Sequence, residues 1–531
     1  MLKFYQKNLL NFSLLVIIGL VIILIKQKTF QPVFLASWEG LKLVFCWPNI
    51  LYPIVATLLT MIFALLPGLS GATLMALAVS LTLSWEPLYV LLIFGAFVGG
   101  STFMGSVTAI LFNIPGSGPS AATLLDGYPL AQKGEAKTAI GCSAAASAMG
   151  SSFGVFVLIL LIPFMSQAIL IFSSPEFLML TLWGLTTIAA ISTGSILKGL
   201  IMGGLGFLIS FIGQDPRTAE ARYSFGITYL ADGLSMIPIL LGLFSISEII
   251  ALSVSGQETI SGKTRVEELT GSVWKGVRAV FENFNLFIRS SIIGTIIGII
   301  PGVGGTVASF VAYAQAAQTA KEPKHFGQGD IRGVLAPEAA HDAKDGGSLV
   351  PTLAFGIPGN EGTAILLAAL LLHGLAPGKE LLTNNLTLVF VLVWSLFFSN
   401  WITSILGVLV VSPLARLTLV RTQIISPIIL VLTIIGAFTY KQRIEDVLLV
   451  FICGIVGYYL KKHAWPRIPF IIALVLGNLF ETNFHISLKL NELGRINFWT
   501  RPIVIVLLIL IIINLALPIL QSRQKARKAN D

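Results

Sequence analysis

Apolar residues in this chain form runs too long and too continuous for a soluble fold. Stretches near 9–25, 49–66, 69–84, 88–113, 138–172, 175–193, 196–213 and 229–253 carry almost no charge. A polar stretch from Ser255 to Asn283 follows, mixing Lys263, Arg265, Lys275 and Arg278 with Glu258, Glu267, Glu268 and Glu282. The runs then resume near 286–300, 303–320, 348–357, 363–375, 385–411, 424–439, 445–460, 468–480 and 502–520. A bilayer-crossing helix needs about 20 mostly apolar residues, so the pattern predicts about 11–14 spans plus several half-helices. The predicted fold class is an all-α polytopic membrane protein.

The pattern divides the chain into five parts. Residues 1–31 read as an N-terminal anchor helix, because Leu9–Ile25 is long for a signal-peptide core and lacks a small-residue cleavage site. Residues 32–254 and 284–520 form two large apolar units joined by a cytoplasmic linker at 255–283. Residues 521–531 are a basic tail with Arg523, Lys525, Arg527 and Lys528, predicted to be cytoplasmic by the positive-inside rule.

Composition strengthens the membrane assignment. Only 11% of the 531 residues are charged and 55% are hydrophobic, against about 25% charged in soluble proteins. The formal net charge of +9 is spread through short loops and the tail. That suits contact with an anionic leaflet and does not mark nucleic-acid binding. Cys46, Cys142 and Cys453 lie far apart in apolar surroundings and read as small hydrophobes.

The two large units repeat a pair of motifs. Pro67-Gly68-Leu69-Ser70-Gly71-Ala72-Thr73 is answered by Pro301-Gly302-Val303-Gly304-Gly305-Thr306, offset by 234. Asn113-Ile114-Pro115-Gly116-Ser117, with Ser120 beyond, is answered by Gly356-Ile357-Pro358-Gly359-Asn360-Glu361, with Thr363 beyond, offset by 243. Proline removes a helix N–H and glycine permits unusual backbone angles, so each Pro-Gly interrupts a helix. Matching interrupted helices in two related halves, expected to be inverted repeats, point to the binding site of a secondary transporter.

A helix that restarts after such a break aims free N–H groups and a positive dipole end at the gap, which suits an anion. Candidate substrate-binding residues are therefore Ser70, Thr73, Gly116, Ser117, Ser120, Thr306, Gly359, Asn360 and Thr363. The hydroxyls of Ser117, Ser120 and Thr363, with the N–H groups after Pro115 and Pro358, are expected to hold a carboxylate. Gly68, Asn113, Gly302 and Glu361 are the candidates for binding or coupling an ion, using carbonyls freed by the breaks. The GxxxG spacings at Gly95/Gly99, Gly150/Gly154, Gly199/Gly203 and Gly294/Gly298 read as helix packing.

From about Trp38 to Leu520 these motifs resemble the TctA family, the large permease subunit of tripartite tricarboxylate transporters. The resemblance rests on Pro67–Thr73, Thr108-Ala-Ile-Leu-Phe-Asn113-Ile-Pro-Gly116 and Asp126-Gly-Tyr-Pro-Leu-Ala-Gln-Lys-Gly-Glu135. In the second half it rests on Ile300–Gly305, Ala336-Pro-Glu338-Ala-Ala, Gly356–Gly359 and Leu372-His-Gly-Leu-Ala-Pro-Gly378. It implies a bacterial inner-membrane permease for carboxylates, with a small four-helix membrane subunit (TctB-like) and a periplasmic solute-binding protein (TctC-like) as partners. An ion gradient, with Na⁺ as coupling ion, would drive uptake, and no other cofactor is implied. A carrier working without partner subunits is the alternative within this class.

No Walker A loop competes with that reading: Gly256 and Gly262-Lys263-Thr264 enclose five residues where a P-loop needs four. This chain also departs from the family pattern, carrying His341-Asp342 in place of Asn-Asn and Asn360-Glu361-Gly362 in place of Ser-Ala-Thr. A carboxylate at Glu361 opposes an anionic substrate unless it is protonated or paired with a cation. Glu338, His341, Asp342 and Asp345 fit either a relay at membrane depth or an aqueous loop, with Lys344 among them. Asp126 reads as part of a solvated interfacial loop, with docking or gating as the functional alternative. An integral-membrane enzyme would need convergent catalytic groups, and only the 338–345 cluster offers them.

Overall fold

A computed structural model describes residues 30–65, 71–113, 115–191, 196–215, 218–255, 270–320, 325–410, 422–495 and 500–513. Apart from a two-residue antiparallel ladder, Gly213–Gln214 with Ala221–Arg222, the described elements are helices. The first half holds α1 (Gln31–Phe45), α2 (Leu51–Leu65), α3 (Gly71–Leu81), α4 (Pro87–Phe112), α5 (Ser120–Gln132), α6 (Ala136–Ala168), α7 (Ser174–Ile191), α8 (Ile196–Ser210) and α9 (Met236–Val254). Then come α10 (Val273–Glu282), α11 (Phe284–Ile299), α12 (Gly304–Thr319), α13 (Arg332–Phe355) and α14 (Glu361–Leu372). The chain continues through α15 (Leu386–Leu409), α16 (Thr422–Lys441), α17 (Ile444–Lys462), α18 (Ile468–Glu492) and α19 (Pro502–Ile513). Among these, α4, α6, α9, α15 and α18 are long and apolar enough to cross a membrane, and seven further apolar helices of 10–17 residues accompany them. The protein is an all-α polytopic membrane protein.

Most predicted runs coincide with helices, and the exceptions share one cause. Helices α5 and α13 are rich in Ala, Gly, Ser and charged residues, so hydropathy missed α5 and saw only the last part of α13. The predicted linker contains α10, an amphipathic helix docked on α6. There Gly276 meets the backbone around Cys142 (a Cβ would lie 2.5 Å from its nitrogen), and Lys275 Nζ pairs with Glu135 Oε1 at 2.6 Å. The Lys275 ammonium and the Thr138 hydroxyl hold the Glu135 carboxyl below the usual carboxylate range. Most of the predicted anchor, residues 1–29, and the basic tail lie outside the described residues.

The motif offset has a counterpart in the packing. Helices α4 and α13 both end in a left-handed residue, Asn113 (φ 58°) and Gly356 (φ 68°), at positions offset by 243. Gly95 and Gly99 of α4 press against the backbone of Leu392 and Leu396 on α15, while Gly150 and Gly154 of α6 press against Ala339 and Ala343 on α13. The same offset maps the first crossing onto the second to within one residue. A Cβ at Gly99 would lie 3.0 Å from the Leu396 carbonyl carbon, and one at Gly154 would lie 2.9 Å from that of Ala343. Such crossings exclude any larger residue and bring helix axes close. Gly294 and Gly298 of α11 close on α13 from another side. Gly203 is the correction to the predicted packing set, because a Cβ there meets nothing within 4 Å.

Two apolar cores lie along these helices, one containing Val90, Phe94, Leu158 and Leu353, the other Phe103, Ile110, Ile140, Val334 and Ala339. Between them, midway along α4, α6 and α13, is a buried layer of Thr102, Ser147, Ser151, His341, Asp342, Asp345 and Ser348.

Helix α9 contains a π turn at Gly242–Ile246 that seats Gly242 against the α17 backbone, with a Cβ there 2.5 Å from Val450 O. Widening the turn leaves a carbonyl without its helical donor, and Arg467 supplies one: Nη1 donates to Leu243 O at 2.5 Å and to Ser247 Oγ at 3.0 Å. Arg467→Ala leaves that carbonyl with the Ser247 hydroxyl as its side-chain donor and leaves Glu248 with Lys461. It should lower stability by about 1–3 kcal/mol, measured as a drop in the melting temperature of the detergent-solubilised protein.

Candidate functional site

A cavity of about 410 Å³ opens where the helix breaks of the two halves meet. Gly116–Pro119 before α5 form one wall, Gly302–Val307 at the start of α12 another, and Asn360–Gly362 at the start of α14 a third. The breaks touch: a Cβ at Gly118 would lie 2.5 Å from Thr306 Oγ1, and one at Gly305 would lie 2.9 Å from Pro119 Cγ. Helix α13 crosses behind them and contributes His341, Lys344 and Asp345, while α4 contributes Ser101 and Thr102. A second cavity of about 510 Å³, between α2, α3 and α4, is lined almost wholly by apolar side chains and offers little chemistry.

The structure gathers six of the predicted site residues on this cavity: Gly116, Ser117, Gly302, Thr306, Asn360 and Glu361. Ser120 stands just behind, shaping the loop: its hydroxyl accepts from Ser117 N at 3.1 Å and donates to Ser117 O at 2.8 Å. Thr363 and Asn360 form a reciprocal cap at the start of α14, with Asn360 N to Thr363 Oγ1 at 2.9 Å and Thr363 N to Asn360 Oδ1 at 3.0 Å. Gly359 accepts from Gly302 N at 3.0 Å, joining the two breaks of the second half through their backbones. Thr73 is buried against α9, with its hydroxyl 3.5 Å from Phe244 O. Asn113 is exposed at the end of α4, away from the cavity lining. Gly68 and Ser70 lie outside the described residues.

The charged cluster belongs to the interior of α13, and the aqueous-loop alternative is excluded by its burial. Glu338 accepts from Ser106 at 2.6 Å, from Ser143 at 2.9 Å and from Thr123, so one carboxyl ties α13 to α4, α6 and α5. Asp342 accepts from Thr102 of α4 and from Asn400 Nδ2 of α15 at 2.9 Å. Lys344 pairs with its neighbour Asp345. His341 Nδ1 and Asp345 Oδ2 are buried without a hydrogen-bond partner. The sequence signal for these lining residues was the His341-Asp342 departure, with Lys344 and Asp345 one turn on.

Asp126 corrects a second expectation. It is fully buried inside α5 and accepts from Tyr313 Oη, Gly329 N and Asp330 N, each at 2.8 Å. The Asp126-Gly-Tyr-Pro string is therefore a clasp that fixes the approach to α13.

Broken helices converging from both halves on a polar cavity inside an all-α membrane protein define the class as a membrane transporter. The chain matches the model of the tripartite tricarboxylate transporter TctA family over residues 50–472 and belongs to that family. It is 30% identical over 459 residues, 86% of this chain and 90% of the relative, to an Agrobacterium vitis protein described as an uncharacterized 52.8 kDa protein in the TAR-I ttuC' 3' region. An uncharacterized protein of the TAR-II ttuC' 3' region of the same organism is also 30% identical, over 44% of this chain and 97% of its own length. No solved structure matches the chain.

Proposed function

We propose that the chain is the large permease subunit of a binding-protein-dependent secondary transporter in the bacterial inner membrane. It takes up tricarboxylates or related organic carboxylates, with a Na⁺ gradient supplying the energy. A periplasmic TctC-like protein delivers the substrate and a small four-helix TctB-like subunit completes the complex, with the basic tail in the cytoplasm. The observation that carries this reading is the meeting of Gly116–Pro119, Gly302–Thr306 and Asn360–Glu361 on one cavity. The N–H groups at the starts of α5 and α12 face the carboxylate, and Gly302 and Glu361 serve the coupling ion.

The test is uptake of a radiolabelled carboxylate by cells expressing the chain with its candidate partner genes. Uptake should fall at least about tenfold when the Na⁺ gradient is collapsed or the binding protein is deleted, and should persist when ATP is depleted with the gradient clamped. Undiminished uptake without the binding protein would identify a stand-alone carrier instead.

A further inference from the structure

Midway along α13, one layer behind the cavity wall, the Asp342 side chain is fully buried. Its Oδ1 accepts from the Thr102 hydroxyl of α4 and from Asn400 Nδ2 of α15. Its Oδ2 is buried without a hydrogen-bond partner. The charged groups acting on this carboxyl are Asp345 and Glu338, both acidic. His341 and Lys344, its neighbours on α13, line the cavity, and Lys344 pairs with Asp345. Among the described residues, no cation pairs with Asp342.

Oxygens without partners gather around the same carboxyl. The Ser147 hydroxyl of α6 lies beside it, fully buried and short of a hydrogen bond. The Asn400 amide uses its nitrogen on Asp342 Oδ1 and on Gly99 O at 3.1 Å, which leaves its own Oδ1 buried and unpartnered.

A buried carboxylate without a counter-charge takes up a cation or a proton. A proton on Oδ2 would satisfy one acceptor and leave the remaining oxygens as they are, whereas a cation satisfies several oxygens at once. The donors are a carboxylate, an amide and two hydroxyls. All are hard oxygens with no imidazole or thiolate among them, which selects an alkali or alkaline-earth ion over a transition metal. Glu338 is held by three hydroxyls and Asp345 by Lys344, so Asp342 is left to balance a single positive charge. The bare-glycine crossings at Gly99 and Gly150 hold α4, α6, α13 and α15 close together, which suits Na⁺ better than the larger K⁺.

We propose that Asp342, with Thr102, Ser147 and Asn400, forms a second Na⁺ site, apart from the one served by Gly302 and Glu361. Thr102 lines the cavity and also bonds Asp342, which makes it the point of entry. The site is independent of which substrate the cavity takes.

The experiment measures binding of radiolabelled Na⁺ to the purified full chain in lipid nanodiscs by scintillation proximity, with choline balancing the ionic strength. Glu361→Gln serves as the background, because it removes the carboxylate of the other Na⁺ site. Saturable binding should persist in that background, resist K⁺ at the same concentration, and weaken at least about tenfold when Asp342→Asn is added. Ser147→Ala in the same background should weaken binding at least about threefold. It should leave the melting temperature in choline unchanged, because this hydroxyl has no hydrogen bond to lose. Na⁺ should also raise the melting temperature of the background protein but not of the one carrying Asp342→Asn. Should Asp342→Asn fail to fold, the Ser147→Ala result decides. Unchanged Na⁺ affinity in these variants, or equal displacement by K⁺, would overturn the inference. So would a background protein that binds no Na⁺ and whose melting temperature follows pH only while Asp342 is present, which would identify a proton site. The carboxylate reading is judged by uptake and stands or falls separately.

Discussion

Glu338→Ala is expected to give a protein that no longer survives solubilisation as a folded monodisperse species. The carboxyl accepts from Ser106, Thr123 and Ser143 on three helices, and removing it strands three buried hydroxyls together. Each buried donor left unsatisfied costs about 1–3 kcal/mol, while a folded protein has a margin of about 5–15 kcal/mol. The loss therefore takes up much of that margin. Glu338→Gln should be milder, because the amide oxygen still accepts while the NH₂ clashes with one hydroxyl unless that hydroxyl turns to accept. Size-exclusion profiles and thermal melts of the three proteins in detergent check the order wild type, Gln, Ala. A Glu338→Ala protein that melts with the wild type would show that the tie contributes nothing to stability.

Lys344→Met is expected to be nearly as damaging, for a different reason. It leaves Asp345 buried without its cation, and breaking a buried pair from one side costs about 3–5 kcal/mol. Lys344→Met with Asp345→Asn removes both charges and should recover most of the melting temperature. Uptake separates structure from function here: the folded double variant should still transport at least about tenfold less than the wild type, because the cavity wall at Gly305 has lost the ammonium beside it. Normal uptake by the double variant would show that the pair serves folding alone.

Much of the architecture was legible because helices facing lipid must be apolar. Runs such as 88–113 and 385–411 correspond closely to α4 and α15. The cavity was legible for another reason: a membrane interior tolerates a broken helix only where the freed backbone groups find partners or line a cavity, and three of the repeated Pro-Gly breaks meet on it. What hydropathy could not show was the part of the protein that never touches lipid. Helix α13 is buried from Gly333 to Ala354, so its polar residues answer to neighbouring helices and not to the bilayer. The same holds for Asp126 in α5, whose three donors come from sequence about 190–200 residues away. No local pattern encodes such a partner.

The buried polar stretch of α13 has a consequence for how the protein is made. Glu338, His341, Asp342, Lys344 and Asp345 sit mid-helix, and an acidic or basic residue at the centre of an inserting helix costs about 2.5–3.5 kcal/mol. This segment is therefore a poor candidate for entering the bilayer on its own as it leaves the ribosome. The helices carrying Thr102, Ser106, Thr123, Ser143, Gly150 and Gly154 are all synthesised earlier. They can stand in the membrane as a prepared berth of hydroxyls and bare backbone. On this view the order of synthesis is part of the design, with the first half acting as the template on which the most polar helix of the second half is inserted.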